Sequence, residues 1–285
     1  MKNLSGKTAA ITGAASGMGR DTAILLAREG CNVAIADVDA KGLGETAALI
    51  RSEGVNVSTH ILDVSDKEAV YNFADDVVRQ HGEVNIVINN AGVGLTAMID
   101  SMEYSDLDWI MNINFWGVVY GTKAFLPYII KSGEGRIVNV SSAFGLMGLP
   151  SQSAYCASKF AVRGVTESLQ QELELIAGDI KAICVHPGGI KTNIVKNSRL
   201  DKIEGLTPDK EKAAAKFDRI ARTTSAEAAA LIVRAIKKDT RRLLIGSDAR
   251  MIDRVQRIFP AYYQTVMLNK NRAFKEMRNK NKMKK

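Results

Sequence analysis

Tyr155 and Lys159 are the residues whose types and spacing point most directly to chemistry. Of the seven tyrosines in the chain, only Tyr155 has a lysine four residues later, within the run Ser151-Gln-Ser-Ala-Tyr-Cys-Ala-Ser-Lys159. On a helix that spacing puts phenol and ammonium on one face. A cation held there favours phenolate, so a group whose usual pKa is about 10 can act as a base nearer neutral pH. Ser142, upstream of the tyrosine, adds a hydroxyl able to hydrogen-bond the same reacting oxygen. Tyr-x-x-x-Lys alone arises by chance in ordinary chains, so its meaning depends on the elements that position it.

Those elements begin at the other end of the chain. Lys7-Thr-Ala-Ala-Ile-Thr12 reads as a short buried strand and runs into Gly13-Ala-Ala-Ser-Gly17-Met-Gly19. Residues 21–29 then carry helical apolar spacing that ends at Gly30. A strand, a glycine turn and a helix make a phosphate site, because glycines let backbone approach a pyrophosphate and the helix N-terminus offers free N–H groups and positive dipole. Residues 32–36 form a second strand ending in Asp37, at the distance where a carboxylate meets an adenosine ribose. Strands at 57–62, 84–88, 136–140 and 180–185 alternate with helices, which predicts a parallel sheet covered on both faces. Ser142 then lies at the C-terminal end of a strand, where such sheets bind ligands.

In these motifs the chain resembles the short-chain dehydrogenases/reductases over roughly residues 5–246. Thr12-Gly-Ala-Ala-Ser-Gly-Met-Gly19 looks like the family's cofactor turn, departing from the plain G-x-G-x-x-G form, and places Gly13, Ser16, Gly17, Met18 and Gly19 at the dinucleotide. Asp63-Val64 looks like the adenine-contacting pair, and Asn89-Asn90-Ala91-Gly92 is similar to the fourth-strand motif. Asn114 sits where the family places its catalytic asparagine, with Asn112 as the alternative. Pro187-Gly188-Gly189-Ile190-Lys-Thr192 resembles the segment that clasps the nicotinamide carboxamide and pyrophosphate.

The resemblance implies a catalytic set of Asn114, Ser142, Tyr155 and Lys159 and an NAD-type cofactor. Tyr155 gives or takes the proton on the substrate oxygen while hydride moves to or from the nicotinamide. Ser142 steadies that oxygen, with Ser141 the alternative if the register slips by one. Lys159 also holds the nicotinamide ribose, and Asn114 holds a water in a proton relay. The implied fold is a single doubly wound, Rossmann-type α/β domain over residues 1–249, followed by a C-terminal extension, 250–285.

Charge argues for NAD over NADP. Asp37 can accept hydrogen bonds from the ribose hydroxyls but would oppose a 2′-phosphate, and Ser16 and Val38, where NADP-using relatives carry a base, are uncharged. Phe144, Leu149, Gly189 and Ile194 are the predicted substrate contacts, in a largely apolar lining that suits a lipophilic secondary alcohol or ketone. Residues 193–224 show no clear strand and read as a mobile lid or an ordered surface helix pair. Two other functions stay open: a non-catalytic nucleotide-binding or scaffold protein, and an epimerase or dehydratase of related fold. Retention of Tyr155 and Lys159 argues against the first, and the Ser142 to Tyr155 spacing against the second.

Composition bounds the rest. The 285 residues, 46% hydrophobic and 25% charged, suffice for one large globular domain. The first strand starts too early for a cleavable leader, no apolar run spans a bilayer, and Cys31, Cys156 and Cys184 have no paired or metal-like spacing, so the expectation is a metal-free cytoplasmic protein with buried thiols. Residues 270–285 hold eight basic residues and one acid, supplying +7 of the net +8. Such a tail reads as a solvated terminus, and no basic stripe suggests nucleic acid. Met251, Ile252, Val255, Ile258 and Phe259 repeat at helical spacing up to Pro260. That apolar face must meet the cleft, a second subunit of a homodimer or homotetramer, or a lipid surface, the last giving a peripheral membrane contact through the tail.

Overall fold

The computed structural model describes residues 1–176, 178–200 and 210–270. It opens with β1 (Thr8–Thr12), α1 (Gly17–Arg28), β2 (Asn32–Asp37), α2 (Ala40–Arg51), β3 (Val57–Ile61), α3 (Lys67–His81) and β4 (Ile86–Asn89). A two-residue strand β5 (Leu95–Thr96), α4 (Tyr104–Met111), a π-helical turn (Asn112–Trp116) and α5 (Gly117–Ser132) lead to β6 (Glu134–Val140). A 3-10 turn (Ala143–Gly145), α6 (Ser153–Glu174) and β7 (Asp179–Pro187) follow, then short strands β8 (Ile190–Lys191) and β9 (Arg199–Leu200). The remaining described elements are α7 (Lys210–Ile220), β10 (Thr223–Thr224), α8 (Ser225–Lys238), β11 (Arg242–Ile245), α9 (Ser247–Ile258) and α10 (Tyr262–Lys270).

Seven strands form one parallel sheet in the order β11-β7-β6-β4-β1-β2-β3. The chain winds outward from β1 to β3, then crosses back to β4 on the other side of β1. That reversal opens a crevice beyond the carboxyl ends of β1 and β4, the place where open α/β sheets take ligands. Burial on both faces explains why the strands are almost uninterrupted apolar runs. Ile11, Ile35 and Val185 pack against Leu26 of α1, Leu43 of α2 and Ile232 of α8. On the opposite face, Ala10, Val87 and Ile137 meet Phe73 of α3, Phe125 of α5 and Leu169 of α6. Fully burying one such aliphatic side chain stabilises the fold by about 1.5–3 kcal/mol.

Segment 193–224 departs from the strandless reading of the sequence. β9 pairs with β5 through Leu95↔Arg199 and Thr96↔Leu200, and β10 pairs with β8 through Thr223↔Ile190. Two-residue strands carry no periodicity to detect, and their hydrogen bonds come from partners remote in sequence. Arg199 adds a latch, its guanidinium 3.8 Å from the Trp109 ring centroid and 2.7 Å from Asp106. Residues 201–209 of this predicted lid lie outside the described residues.

Position 250, where sequence divides domain from extension, falls inside α9. The predicted helix up to Pro260 is present, and α10 follows it. Residues 271–285, most of the basic tail, lie outside the described residues. Among those described, no helix is long and apolar enough to cross a membrane.

Candidate active site

β1 delivers the glycine turn to the crevice, and its neighbours show why small residues are needed there. Gly13 has φ +67, and a Cβ on it would lie 2.8 Å from both Ala91 Cα and Asn90 Nδ2. A Cβ on Gly19 would run into the Gly13 carbonyl oxygen. The turn is tied to the loop after β4: Asn90 Nδ2 donates to the carbonyls of Thr12 and Gly13, while Thr12 Oγ1 accepts from the N–H groups of Asn90 and Ala91. Ser16 caps α1 by position only, its hydroxyl making no cap bond. Met18, Asn90 and Gly92 line the cleft.

Asp37 stands at the end of β2 beside this turn. Its Oδ2 accepts from Ala15 N–H at 3.0 Å and its Oδ1 from Asp39 N–H at 3.1 Å, which orients the carboxylate and leaves lone pairs free. Asp63 is exposed and accepts from the backbone and hydroxyl of Ser65, while Val64 is buried against Gly117. Across the crevice Thr192 faces Gly17, its Cγ2 3.2 Å from where a Cβ on that glycine would stand. A close-backed turn, a carboxylate at the second strand and a threonine facing the turn fit a dinucleotide, with Gly13, Ser16, Gly17, Met18, Gly19 and Asp37 on one side and Pro187, Gly188, Ile190 and Thr192 on the other.

The catalytic candidates converge from β6, α6 and the π-helical turn. Tyr155 and Lys159 occupy successive turns of α6, with Lys159 Nζ 5.9 Å from the phenol ring centroid. Lys159 is 3% exposed and donates to the Val140 carbonyl at 3.0 Å. The Ser142 hydroxyl lies close enough to the Tyr155 phenol to lower its pKa, and accepts from Phe144 N–H at 3.1 Å. Ser141, the alternative from sequence, donates to the Lys159 carbonyl at 2.7 Å, which leaves Ser142 as the hydroxyl nearer the phenol. Likewise Asn112 is exposed whereas Asn114 is fully buried.

The asparagine geometry is specific. Asn114 Oδ1 accepts from Val93 N–H at 2.8 Å, and its Nδ2 donates to the Val93 carbonyl at 2.9 Å and to Ser158 Oγ at 3.2 Å. The side chain therefore pins the loop after β4, and Gly92 of that loop lies against both Asn114 and Lys159: a Cβ there would be 3.1 Å from Oδ1 and 3.3 Å from Nζ. The π-helical register that points Asn114 inward is an insertion of the kind found at functional sites.

Electrostatics correct the simple picture of a lysine-lowered phenol. Burial raises the Tyr155 pKa, the Ser142 hydrogen bond lowers it and the neighbouring Cys156 raises it, for a net upward direction. Burial also pushes Lys159 down to about 8, with Cys184 acting the other way. Desolvation is the largest influence on both groups, and on the phenol it acts against a lowered pKa. Cys156 is itself buried, its thiol raised first by burial.

Beyond these groups the cleft, about 1280 Å³, is lined by Phe144, Leu149, Gly189 and Ile194, the residues proposed from sequence to meet substrate. Several wall residues were not legible as such: Gln152 of the loop before α6, Phe217 and Ile220 of α7 and Met267 of α10; Ile252 of α9, on the apolar face read from sequence, joins them. The C-terminal helices are held down by Tyr263, 7% exposed, whose hydroxyl accepts from Gly148 N–H at 3.0 Å. Asp248 at the start of α9 accepts from Gly189 N–H at 2.6 Å and fixes the Pro187-Gly188-Gly189 loop. Of the expected apolar face Ile252 meets the cleft, while Met251, Ile258 and Phe259 remain exposed, as does Tyr262 beyond it. Among the described residues no group of three or more His, Cys, Asp or Glu could hold a metal ion.

A doubly wound sheet with a serine, a tyrosine and a lysine at its switch-point crevice has the arrangement of an oxidoreductase. The chain belongs to the short-chain dehydrogenase/reductase family, whose short chain dehydrogenase model matches residues 7–203. It is 44% identical over 268 residues to the protein SadH of Mycobacterium tuberculosis, covering 94% of this chain and 96% of that one. It is 30% identical over 270 residues to estradiol 17-beta-dehydrogenase 11 of Homo sapiens, covering 94% and 84%. A short chain dehydrogenase/reductase from Burkholderia phymatum, solved in complex with NAD, superposes with a TM-score of 0.83 at 29% identity, covering 93% of this chain and 97% of that one.

Proposed function

We propose that this protein interconverts a lipophilic secondary alcohol and its ketone with NAD(H), using Tyr155 as general acid/base. The observation that carries the reading is the convergence of Ser142, Tyr155 and buried Lys159 on one largely apolar cleft. The name of the human relative, an estradiol dehydrogenase, supports a hydrophobic alcohol, and the NAD complex of the Burkholderia protein supports the cofactor.

Bound nicotinamide would supply or accept the hydride. The residues of the chain do the rest. The Tyr155 hydroxyl moves the proton on the substrate oxygen, Ser142 Oγ hydrogen-bonds that oxygen as alkoxide character develops, and Lys159 keeps positive potential beside both. Asn114 fixes the loop that faces Lys159, and a proton relay through it would run by its backbone carbonyl. Asp248 positions the loop that would meet the carboxamide, Asp63 and Val64 would bound the adenine, and Asn90, Ala91 and Gly92 would back the ribose. Gel filtration or light scattering at working concentration tests the homodimer or homotetramer that the family resemblance suggests. A screen of lipophilic secondary alcohols against sugars and hydroxy acids, read by NADH fluorescence, tests the substrate class; turnover confined to the hydrophilic compounds would overturn it.

The pH profile follows from the direction of the phenol shift. A raised pKa keeps Tyr155 protonated through neutral pH, so ketone reduction should be flat there and fall as the medium becomes alkaline. Alcohol oxidation, which needs phenolate, should rise with pH, and the rise should slow above about 8 as Lys159 loses its charge. Initial rates in both directions check this, and an oxidation rate that falls from pH 6 to 8 would contradict it.

Cofactor choice rests on Asp37. Arg20, a cation close to the turn, donates to the Ala15 and Gly42 carbonyls and is paired with Glu45 at 2.9 Å, so its charge is already matched. NAD should exceed NADP by about tenfold or more in kcat/KM, the size of one or two charge-assisted hydrogen bonds. Asp37→Ala should narrow or invert the ratio. Equal use of both cofactors by the wild-type protein would refute the charge argument.

A further inference from the structure

His186 lies one residue before the Pro187-Gly188 turn and is fully buried in β7. β6 ends at Val140, and the last ladder contact to β7 is Ser141 N–H donating to the Val185 carbonyl at 2.8 Å. Beyond that point the next peptide has lost its strand partner, and a side chain takes over. His186 Nδ1 lies 3.1 Å from the Ser142 carbonyl oxygen, which also accepts from Gly145 N–H at 2.9 Å. A carbonyl only accepts, so Nδ1 carries the hydrogen. Nε2 is then a lone pair, and it is buried with no partner among the described residues.

We propose that His186 is a positioning residue of the active site: its Nδ1–H holds the Ser142 carbonyl and thereby aims the Ser142 hydroxyl at the Tyr155 phenol. The inference rests on the reading of Tyr155 as the proton-transferring group and adds a residue to it. Ser142 has φ −164 and ψ 165, an extended conformation in which fixing the carbonyl fixes the direction of the side chain. Phe144 N–H on one side and the phenol on the other leave the hydroxyl little room to swing. A neutral imidazole suits the task, since a second proton on Nε2 would be buried unpaired. Burial lowers the His186 pKa to about 4; the Ser142 carbonyl and Glu167 oppose that shift, whereas Arg242 and Arg163 add to it. His186 therefore does not titrate in the range where the enzyme would work.

The test compares three substitutions of His186 in the full chain, one of them also in a Ser142→Ala background. His186→Leu should lower kcat by about tenfold to a hundredfold, the cost of a sub-ångström to one-ångström misplacement of a reacting group, with the NAD Kd nearly unchanged. His186→Asn, whose amide puts an N–H where Nδ1 stands, should restore kcat to within about threefold, while His186→Gln, whose amide reaches past it, should not. In a Ser142→Ala background the His186→Leu change should add less than about twofold, because the hydroxyl it aims is gone. The wild-type 15N spectrum should show an Nδ1–H neutral imidazole that does not titrate between about pH 6 and 9. Wild-type kcat in a folded His186→Leu protein, an undiminished effect in the Ser142→Ala background, or an Nε2–H tautomer would overturn the proposal. If His186→Leu does not fold, equal activity of the Asn and Gln variants has the same force. The general-acid reading stands or falls separately on Tyr155→Phe, so the two failures are distinguishable.

Discussion

Tyr155→Phe should retain the fold and NAD binding while losing about 10²- to 10⁴-fold in kcat, the range that general acid/base groups contribute. The substitution removes one oxygen. The ring keeps its edge contact with Phe144, 6.1 Å between centroids, and its place above Lys159, so packing is preserved. What disappears is the phenol oxygen beside Ser142, the group that would exchange a proton with substrate. Equal losses in kcat and kcat/KM would identify a transition-state role. More than about a tenth of wild-type turnover on a good substrate would mean that another group moves the proton.

Lys159→Met should abolish most activity and weaken NAD binding without lowering stability at pH 7. Lys159 is buried, and its pKa is depressed from 10.5 to about 8. A depressed lysine binds more protons unfolded than folded between about 8 and 10.5, so its contribution to stability is fully present above 10.5 and is lost as pH falls through 8. At pH 7 the buried ammonium therefore costs the folded protein up to about 3 kcal/mol, partly offset by its bond to the Val140 carbonyl. Methionine has similar length and no charge to desolvate. Urea unfolding at pH 7 should accordingly show equal or greater stability in the variant, alongside a loss of turnover of about a hundredfold or more. A variant that is both active and less stable would assign Lys159 to structure.

Much of the fold was legible because parallel strands buried on both faces leave continuous apolar runs, as in Lys7 to Thr12 and Ile180 to Val185, and because glycines punctuate the turns. The site was legible where chemistry is local in sequence: Tyr155 and Lys159 share one helix, and Gly13 to Gly19 share one turn. It was less legible where partners are distant. Tyr263 reaches Gly148 and Asp248 reaches Gly189 across long stretches of chain, and nothing in the local pattern of either acidic or aromatic residue signals that contact. The phenol electrostatics failed for a related reason. Spacing reveals that a cation is near, but only the packed structure reveals that burial opposes it and prevails. The strand pairs β5–β9 and β8–β10 were invisible because two residues carry no period.

Isotope tracing tests the central claim most directly. Wild-type protein is given NAD and a lipophilic secondary alcohol bearing deuterium on the carbinol carbon, and the NADH formed is examined by mass spectrometry. Hydride transfer between carbinol carbon and nicotinamide predicts that the deuterium is recovered in NADH, one atom per ketone formed. Ketone formation with the label released to water, or loss of alcohol without NADH, would contradict it and point to an epimerase- or dehydratase-type reaction on the same fold.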